Sequence, residues 1–161
     1  MTTTSTAAEL SIELESEAAT QALAARVARL AREGDAIALR GDLGSGKTSF
    51  ARGFIRALGR GDEEVPSPTF TLVEIYELGS LRVWHFDLYR LARPEDVYEL
   101  GFEEALADGV MLLEWPERLG PLLPRERLDA TLSAGTSPTR RRAVLRGSPR
   151  WAERLRELGR I

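Results

Sequence analysis

The sequence predicts an α/β fold in a single domain, with a mixed, mostly parallel sheet between helices and an antiparallel hairpin. Three features lead to this prediction. A short apolar run at residues 36–39 leads through a glycine-rich loop into a helix-like segment at residues 48–58. Residues 110–113 are consecutively apolar, which is typical of a parallel strand buried on both faces. Two strand-like segments between them are joined by a tight turn, and so short a connection implies antiparallel pairing.

The composition suits one compact domain. The chain has 161 residues, of which 43% are hydrophobic and 29% charged, enough apolar material for a sheet covered by helices. The net charge of −3 argues against broad, charge-driven binding to nucleic acid or acidic membranes, because counterion release needs a basic face. Arg140, Arg141 and Arg142 nevertheless form a local basic patch. The lack of cysteine excludes disulfides, a thiolate nucleophile and cysteine-type zinc sites.

We expect this sequence to contain no targeting segment. Its first residues, MTTTSTAAEL, lack the basic stretch and apolar run of a signal peptide. No stretch approaches the roughly 20 apolar residues of a membrane helix. We therefore expect a cytoplasmic protein without a membrane partner, with a disordered terminus at residues 1–8 and one domain at residues 9–161.

The first elements follow from periodicity and capping. Residues 10–14 alternate apolar and polar side chains, as a half-buried strand does. Ser16 is a suitable N-cap for a helix over residues 17–33, and Gly34 ends that helix.

The middle and the end of the chain continue this pattern. Prolines keep residues 65–68 extended, and strands are expected at residues 69–76 and 81–87, with a turn at residues 78–80. The remaining predicted elements are short helices at residues 94–100 and 102–107, strands at residues 128–132 and 143–145, and a final helix at residues 151–158.

The glycine-rich loop reads GDLGSGKT and matches the phosphate-loop pattern GxxxxGKT in its required context of strand, loop and helix. This pattern predicts a P-loop NTPase. Lys47 should reach the β- and γ-phosphates of ATP, and the Thr48 hydroxyl should ligate Mg²⁺. Lys47 is also the only lysine among 22 basic residues. Its position supports the prediction, because a planar guanidinium replaces lysine poorly at a phosphate loop. The predicted nucleotide-binding residues are Gly41, Asp42, Leu43, Gly44, Ser45, Gly46, Lys47, Thr48 and Ser49.

Two carboxylates complete the predicted site. Asp87 and Glu114 each follow a predicted strand, and open α/β sheets bind ligands at the carboxyl ends of their strands. Either one could hold the metal or orient the attacking water, so the candidate catalytic residues are Lys47, Asp87 and Glu114. The candidate metal ligands are Thr48, Asp87 and Glu114. His85, the only histidine, is expected to be a hydrogen-bonded structural residue rather than a base.

Several P-loop classes are excluded by missing motifs. The chain has no asparagine, so it lacks the Asn-Lys-x-Asp motif with which GTPases read guanine. It also lacks an LSGGQ-like signature and is too short for the helical lid domain of an AAA+ motor. A small kinase or a small stand-alone ATPase remains.

Four blocks carry a family resemblance: GDLGSGKTSFARGFIRALG, SPTFTLVEIY, HFDLYRL and LLEWPE, in this order. They span residues 41–117, and together the chain resembles the TsaE (YjeE) family of bacterial ATPases. That family is required for threonylcarbamoyl modification of adenosine 37 in tRNAs that read ANN codons. The resemblance implies an ATP- and Mg²⁺-dependent protein that works with TsaD, the transferase, and TsaB, which pairs with TsaD. It also implies that tRNA is held mainly by these partners.

The resemblance further implies roles for individual residues. Asp87 takes a Walker-B-like position and Glu114 is a metal-side or catalytic acid. Ser67, Thr69 and Thr71 lie in a switch-like segment, although the threonines also suit an ordinary strand. Trp115 follows Glu114 in the family's EW pair and is a candidate partner-facing residue. Further candidate contacts to the nucleotide are Glu17, Thr20, Arg140 and Arg142. Ser49 stands where the family often has a second threonine.

Two alternatives remain open from the sequence. The first is a small-molecule kinase in which residues 135–142 form a short lid over the substrates. The second is a nucleotide-gated binding module with little turnover, which would keep its function when Glu114 is replaced by alanine.

Overall fold

The computed structural model describes residues 8–159. The expected disorder of residues 1–7 lies outside these residues, whereas Ala8, which shares that expectation, is the first residue of a strand. Within the described range the seven strands are β1 Ala8–Leu14, β2 Ala36–Arg40, β3 Val73–Leu78, β4 Leu81–Asp87, β5 Val110–Glu114, β6 Leu128–Ala134 and β7 Arg141–Gly147. The α-helices are α1 Glu17–Leu30, α2 Lys47–Leu58, α3 Phe102–Asp108 and α4 Pro149–Gly159, and 3₁₀-helices span Pro94–Leu100 and Pro116–Leu122.

All seven strands form one mixed sheet in the order β1-β7-β6-β2-β5-β4-β3. The four strands from β6 to β4 run parallel to one another. At one side β7 and β1 add antiparallel strands, and at the other side β3 and β4 form the predicted antiparallel hairpin. This confirms the α/β P-loop architecture. Because β2, β4 and β5 are parallel, the residues that follow them meet at one edge of the sheet.

Each face of the sheet carries its own hydrophobic core. Leu112 of β5 packs into the core under α1, α2 and α4, which also contains Phe54. Its neighbours Met111 and Leu113 point the other way, into the core under α3 and the 3₁₀-helices. Strand side chains alternate between faces, so β5 is buried on both sides, as its apolar run predicts. No helix among residues 8–159 is long and apolar enough to cross a membrane.

The first helix begins as predicted and ends earlier. The Ser16 hydroxyl accepts a hydrogen bond from the Ala19 N–H at 3.1 Å, which caps the N-terminus of α1. The helix stops at Leu30 instead of residue 33, and Ala31 is extended. The Asp35 carboxylate accepts the Arg32 N–H at 2.6 Å, so a side chain replaces the helical hydrogen bond of that residue.

The predicted start of β3 was wrong by four residues. Leu72 donates its N–H to the carbonyl of Pro68 at 2.7 Å and has a φ of 66°, so residues 69–72 form a turn before the strand. The 3₁₀-helix Pro116–Leu122 was not predicted either. Gly120 and Pro121 interrupt its pattern, and burial of Leu119 in the second core holds it in place.

Candidate functional site

A cavity of about 520 Å³ lies at the carboxyl edge of the parallel strands, over the loop that joins β2 to α2. Helix α1, the turn at residues 69–72 and the loop between β6 and β7 close its sides. Its lining residues are Glu17, Thr20, Asp42, Leu43, Gly44, Gly46, Lys47, Thr48, Ser49, Ser67, Thr69, Asp87, Tyr89, Arg90, Glu114, Trp115, Pro138, Thr139 and Arg141.

The loop conformation depends on glycine. Gly41 has a φ of 144°, and a Cβ atom there would lie 2.4 Å from both the Leu132 carbonyl oxygen and the Ser45 hydroxyl. Gly46 is the left-handed N-cap of α2, and within the described residues no side chain caps this helix. The first N–H groups of α2 are therefore free to bind an anion in the cavity, where the helix dipole also favours negative charge.

Lys47 places a cationic group in this cavity, next to the phosphate loop. Its Nζ atom donates to the Gly41 carbonyl and to the Asp42 carbonyl at 3.3 Å, and lies 3.8 Å from the centre of the Trp115 ring. Burial lowers the pKa of the Lys47 ammonium below its ordinary value, although nearby Glu114 acts against this shift. A bound anion would favour the ammonium form, so Lys47 suits phosphate binding.

The two predicted carboxylates lie side by side. Asp87 and Glu114 are the last residues of β4 and β5, are opposite each other in register, and are almost fully buried. The Thr48 hydroxyl lies 3.3 Å from Oε1 of Glu114, and His85 Nε2 lies 2.6 Å from Oε2. This places Thr48, Asp87 and Glu114 together at the end of the phosphate loop.

The turn before β3 also reaches the site. Oδ2 of Asp87 accepts hydrogen bonds from the hydroxyls of Ser67 at 3.3 Å and Thr69 at 3.4 Å. Thr71 does not line the cavity and instead donates to Glu74 at 3.0 Å. Of the predicted switch-like residues, Ser67 and Thr69 contact the carboxylate, because residues 69–72 turn instead of forming a strand.

Of the four further residues predicted to contact the nucleotide, two line the cavity and the two arginines do not. Glu17 and Thr20 of α1 line the cavity, and Glu17 accepts a hydrogen bond from Ser49 at 3.0 Å. Arg140 and Arg142 point elsewhere, Arg140 toward Glu15 at 3.9 Å and Arg142 toward Ser11 at 3.1 Å. Arg141 lines the cavity instead and donates to the Gly44 carbonyl at 3.1 Å.

The face of β7 on which each arginine lies explains this difference. Alternating burial along β7 places Arg141 on the same face as Ala143 and Leu145, opposite Arg142. Tyr89 and Arg90 are lining residues that the sequence did not single out, and Pro138 and Thr139 of the candidate lid also line the cavity. Tyr89 and Arg90 follow the end of β4 directly, so their position at the sheet edge follows from that of Asp87.

The donors at this site fit a hard cation such as Mg²⁺. Thr48, Asp87 and Glu114 offer only oxygen atoms, which Mg²⁺ prefers. Among the described residues, neither Asp87 nor Glu114 forms a salt bridge with an arginine or a lysine. A bound cation would therefore offset the charge of these two buried carboxylates. No cage of three His, Cys, Asp or Glu side chains is present in residues 8–159, and Mg²⁺ commonly completes its shell with water and phosphate oxygens.

Comparison with known proteins agrees with this architecture. The family described as "Threonylcarbamoyl adenosine biosynthesis protein TsaE" matches residues 14–143. The chain is 41% identical over 121 residues to the tRNA threonylcarbamoyladenosine biosynthesis protein TsaE of Rickettsia conorii, covering 75% of this chain and 69% of that protein. It is 40% identical over 114 residues to the protein of the same name from Bacillus subtilis, covering 70% of each chain.

The fold itself is similar to a solved structure. The crystal structure of Bacillus subtilis YdiB superposes with a TM-score of 0.82 and 30% sequence identity, covering 96% of this chain and 97% of that chain. The match at residues 14–143 includes the phosphate loop and both carboxylates. On this sequence and structural evidence, the chain belongs to the TsaE family.

Proposed function

We propose that this protein is a Mg²⁺-dependent ATP hydrolase required for N6-threonylcarbamoylation of adenosine 37 of tRNA, acting in the cytoplasm with TsaD and TsaB. One observation carries the hydrolase proposal: Thr48, at the first turn of α2, contacts Glu114 beside Lys47 and the uncapped helix N-terminus. This combines a phosphate cradle with oxygen ligands for a metal. Membership of the TsaE family supports the role in tRNA modification.

The residues of the loop would bind the triphosphate. The backbone N–H groups of residues 44–48 would hold the phosphates, and Lys47 would leave the carbonyls of Gly41 and Asp42 to contact the γ-phosphate. Thr48 and Glu114 would hold Mg²⁺, which when bound neutralises charge on the β- and γ-phosphate oxygens.

Asp87 is proposed to order the attacking water or a water on the metal. Its Oδ1 atom accepts the Tyr89 N–H at 3.1 Å, which fixes the carboxylate at the end of β4. Its Oδ2 atom faces the hydroxyls of Ser67 and Thr69. We propose that one of these hydroxyls senses the γ-phosphate, so that the turn at residues 69–72 changes position with the nucleotide.

The surface around the cavity supports the proposal that a partner protein binds there. Phe70, beside Thr69, is 83% exposed, and Leu43 of the phosphate loop is 76% exposed. Large apolar side chains that project from a binding site are typical of protein interaction surfaces. The acidic net charge of −3 also supports a division of labour in which the partners hold the tRNA. We therefore expect slow ATP hydrolysis by the isolated chain and faster hydrolysis with TsaB and TsaD.

The test is whether a complex forms, as detected by size-exclusion chromatography. The protein is mixed with TsaB, TsaD, ATP and Mg²⁺, and the Lys47→Ala variant serves as the control. We expect one nucleotide-dependent complex that the variant does not form, together with stimulated release of phosphate. Absence of both effects would contradict the tRNA role.

One structural observation favours the alternative function as a small-molecule kinase. Pro138 and Thr139, in the loop proposed as a lid, line the cavity. If the partners have no effect, transfer of phosphate from ATP to small-molecule acceptors becomes the next measurement.

A further inference from the structure

We propose that His85 is a positioning residue that holds the Glu114 carboxylate in the orientation needed to bind the metal. The inference rests on the proposed function in one respect, since it takes Glu114 as a metal-side carboxylate. His85 itself does not line the cavity, and among the described residues Glu114 is the one hydrogen-bond partner of its side chain.

The sheet register brings the two side chains together. His85 lies opposite Leu112 in the parallel pair of β4 and β5, and Glu114 is two residues further along β5. Residues two apart on a strand share a face, so His85 and Glu114 are diagonal neighbours on the face that carries α2. Their contact, 2.6 Å from Nε2 to Oε2, joins two fully or almost fully buried side chains.

The surroundings of the two ring nitrogens indicate which of them carries the proton. The Nδ1 atom of His85 is buried and has no hydrogen-bond partner within the described residues. If Nδ1 alone carried the proton, Nε2 would present a lone pair to a carboxylate, and two acceptors would face each other. A proton on Nε2 instead gives a short hydrogen bond to a charged acceptor. The imidazole therefore donates to Oε2 of Glu114.

This donation constrains the carboxylate from the side away from the cavity. Oε2 is engaged by His85, while the Thr48 hydroxyl on the cavity side lies 3.3 Å from Oε1 and 3.4 Å from Oε2. Glu114 is thus held between β4 and α2, and Oε1 is the oxygen that His85 leaves available to bind a metal. Partners of this kind fix the orientation of ligating carboxylates, and their loss typically lowers metal affinity by about 10- to 100-fold.

Asp87 is held differently. Its Oδ2 atom contacts hydroxyls from the turn before β3, whereas the partner of Glu114 lies inside the sheet. A partner on a strand moves less than one on a turn. The two carboxylates therefore have separate supports, and replacing His85 should affect Glu114 without disturbing Asp87.

The first test uses the parent protein without nucleotide. His85 is the only histidine, so ¹⁵N-edited NMR gives a single set of imidazole signals. We expect a proton on Nε2 that exchanges slowly with water, and we expect Glu114→Ala to abolish this protection. An Nε2 atom without a proton would overturn the proposal.

The second test compares matched variants. The dissociation constant of a fluorescent ADP analogue is measured with Mg²⁺ and with EDTA. His85→Phe, which keeps a ring and loses the donor, should weaken binding with Mg²⁺ by about 10- to 100-fold and leave binding in EDTA unchanged. His85→Gln, which keeps an N–H group near the Nε2 position, should restore most of the loss.

The controls separate this role from core packing and from the proposed function. Phe86→Leu changes an equally buried neighbour on the opposite face of β4, so it should lower stability and leave the effect of Mg²⁺ unchanged. An effect of Mg²⁺ in His85→Phe equal to that in the parent would overturn the proposal. A parent protein whose nucleotide binding ignores Mg²⁺ would instead contradict the proposed function, while the imidazole spectrum still decides whether His85 holds Glu114.

Discussion

The Thr48 hydroxyl lies 3.3 Å from Oε1 of Glu114, so the first turn of α2 and the last residue of β5 meet although 66 residues separate them. Parallel pairing of β2 with β5 produces this contact, because Leu39 and Glu114 are register partners. The phosphate loop begins two residues after Leu39, so its helix returns directly over the end of β5. The contact links the nucleotide-binding loop to the proposed metal side of the site.

We expect Thr48→Val to weaken nucleotide binding in Mg²⁺ by roughly 100-fold, at the upper end of the effects seen when metal sites lose a supporting group. Valine keeps the shape of threonine and removes the hydroxyl. Isothermal titration with ADP in Mg²⁺ and in EDTA measures the effect, and Thr48→Ser should bind like the parent. Equal affinities for the valine variant and the parent would argue against a metal-side role for Thr48.

We expect Arg141→Ala to weaken ATP binding by about tenfold, because its guanidinium lies in the cavity beside the phosphate loop and can form a charge-assisted hydrogen bond with phosphate. Arg142→Ala is the matched control, since Arg142 contacts Ser11 and Glu13 on the other face of β7. Equilibrium binding should show no measurable change for this control. The reverse order of effects would support the original sequence-based choice of Arg142.

We expect Gly41→Ala to lower the free energy of unfolding by about 3 kcal/mol, at the upper end of overpacking effects. The new methyl group would meet the backbone carbonyl oxygen of Leu132. Gly44→Ala is the control, because Gly44 also has a positive φ, 79°, and has no atom within 4 Å of the added Cβ. Its cost should be about 1 kcal/mol from backbone strain alone. Urea unfolding of both variants gives the comparison, and equal losses would contradict the steric argument.

Away from the site, Arg154 of α4 forms a buried ion pair with Asp35, at 2.7 Å. Arg154→Met should lower the free energy of unfolding by about 3 kcal/mol, since Asp35 would keep only the more exposed Arg150 as an ionic partner. Arg156→Met, at an exposed position of the same helix, should change it by less than about 0.5 kcal/mol. Thermal unfolding measures both, and nucleotide affinity should be unchanged in both variants. A small loss for Arg154→Met would show that Arg150 alone compensates Asp35.

Most of the fold could be predicted because its central elements carry local signals. The run from β2 through the loop to α2, the hairpin of β3 and β4, and the buried strand β5 were each recognised from periodicity and turns. The errors lie where local signals conflict with tertiary contacts. The β-branched residues Thr69 and Thr71 favoured a strand, but the Leu72–Pro68 hydrogen bond makes a turn there.

The features of the candidate site likewise fall into those that the sequence predicts and those that depend on tertiary contacts. The sequence alone determined the phosphate loop, because its glycines, Lys47 and Thr48 are adjacent in the chain and their conformation depends on local sterics. Only the tertiary structure decided that Glu114 lies between Thr48 and His85, that Thr69 and not Thr71 contacts Asp87, and that Arg141 and not Arg142 lines the cavity. These contacts depend on strand order, register and the face to which each side chain points, which are set by burial and pairing between distant segments.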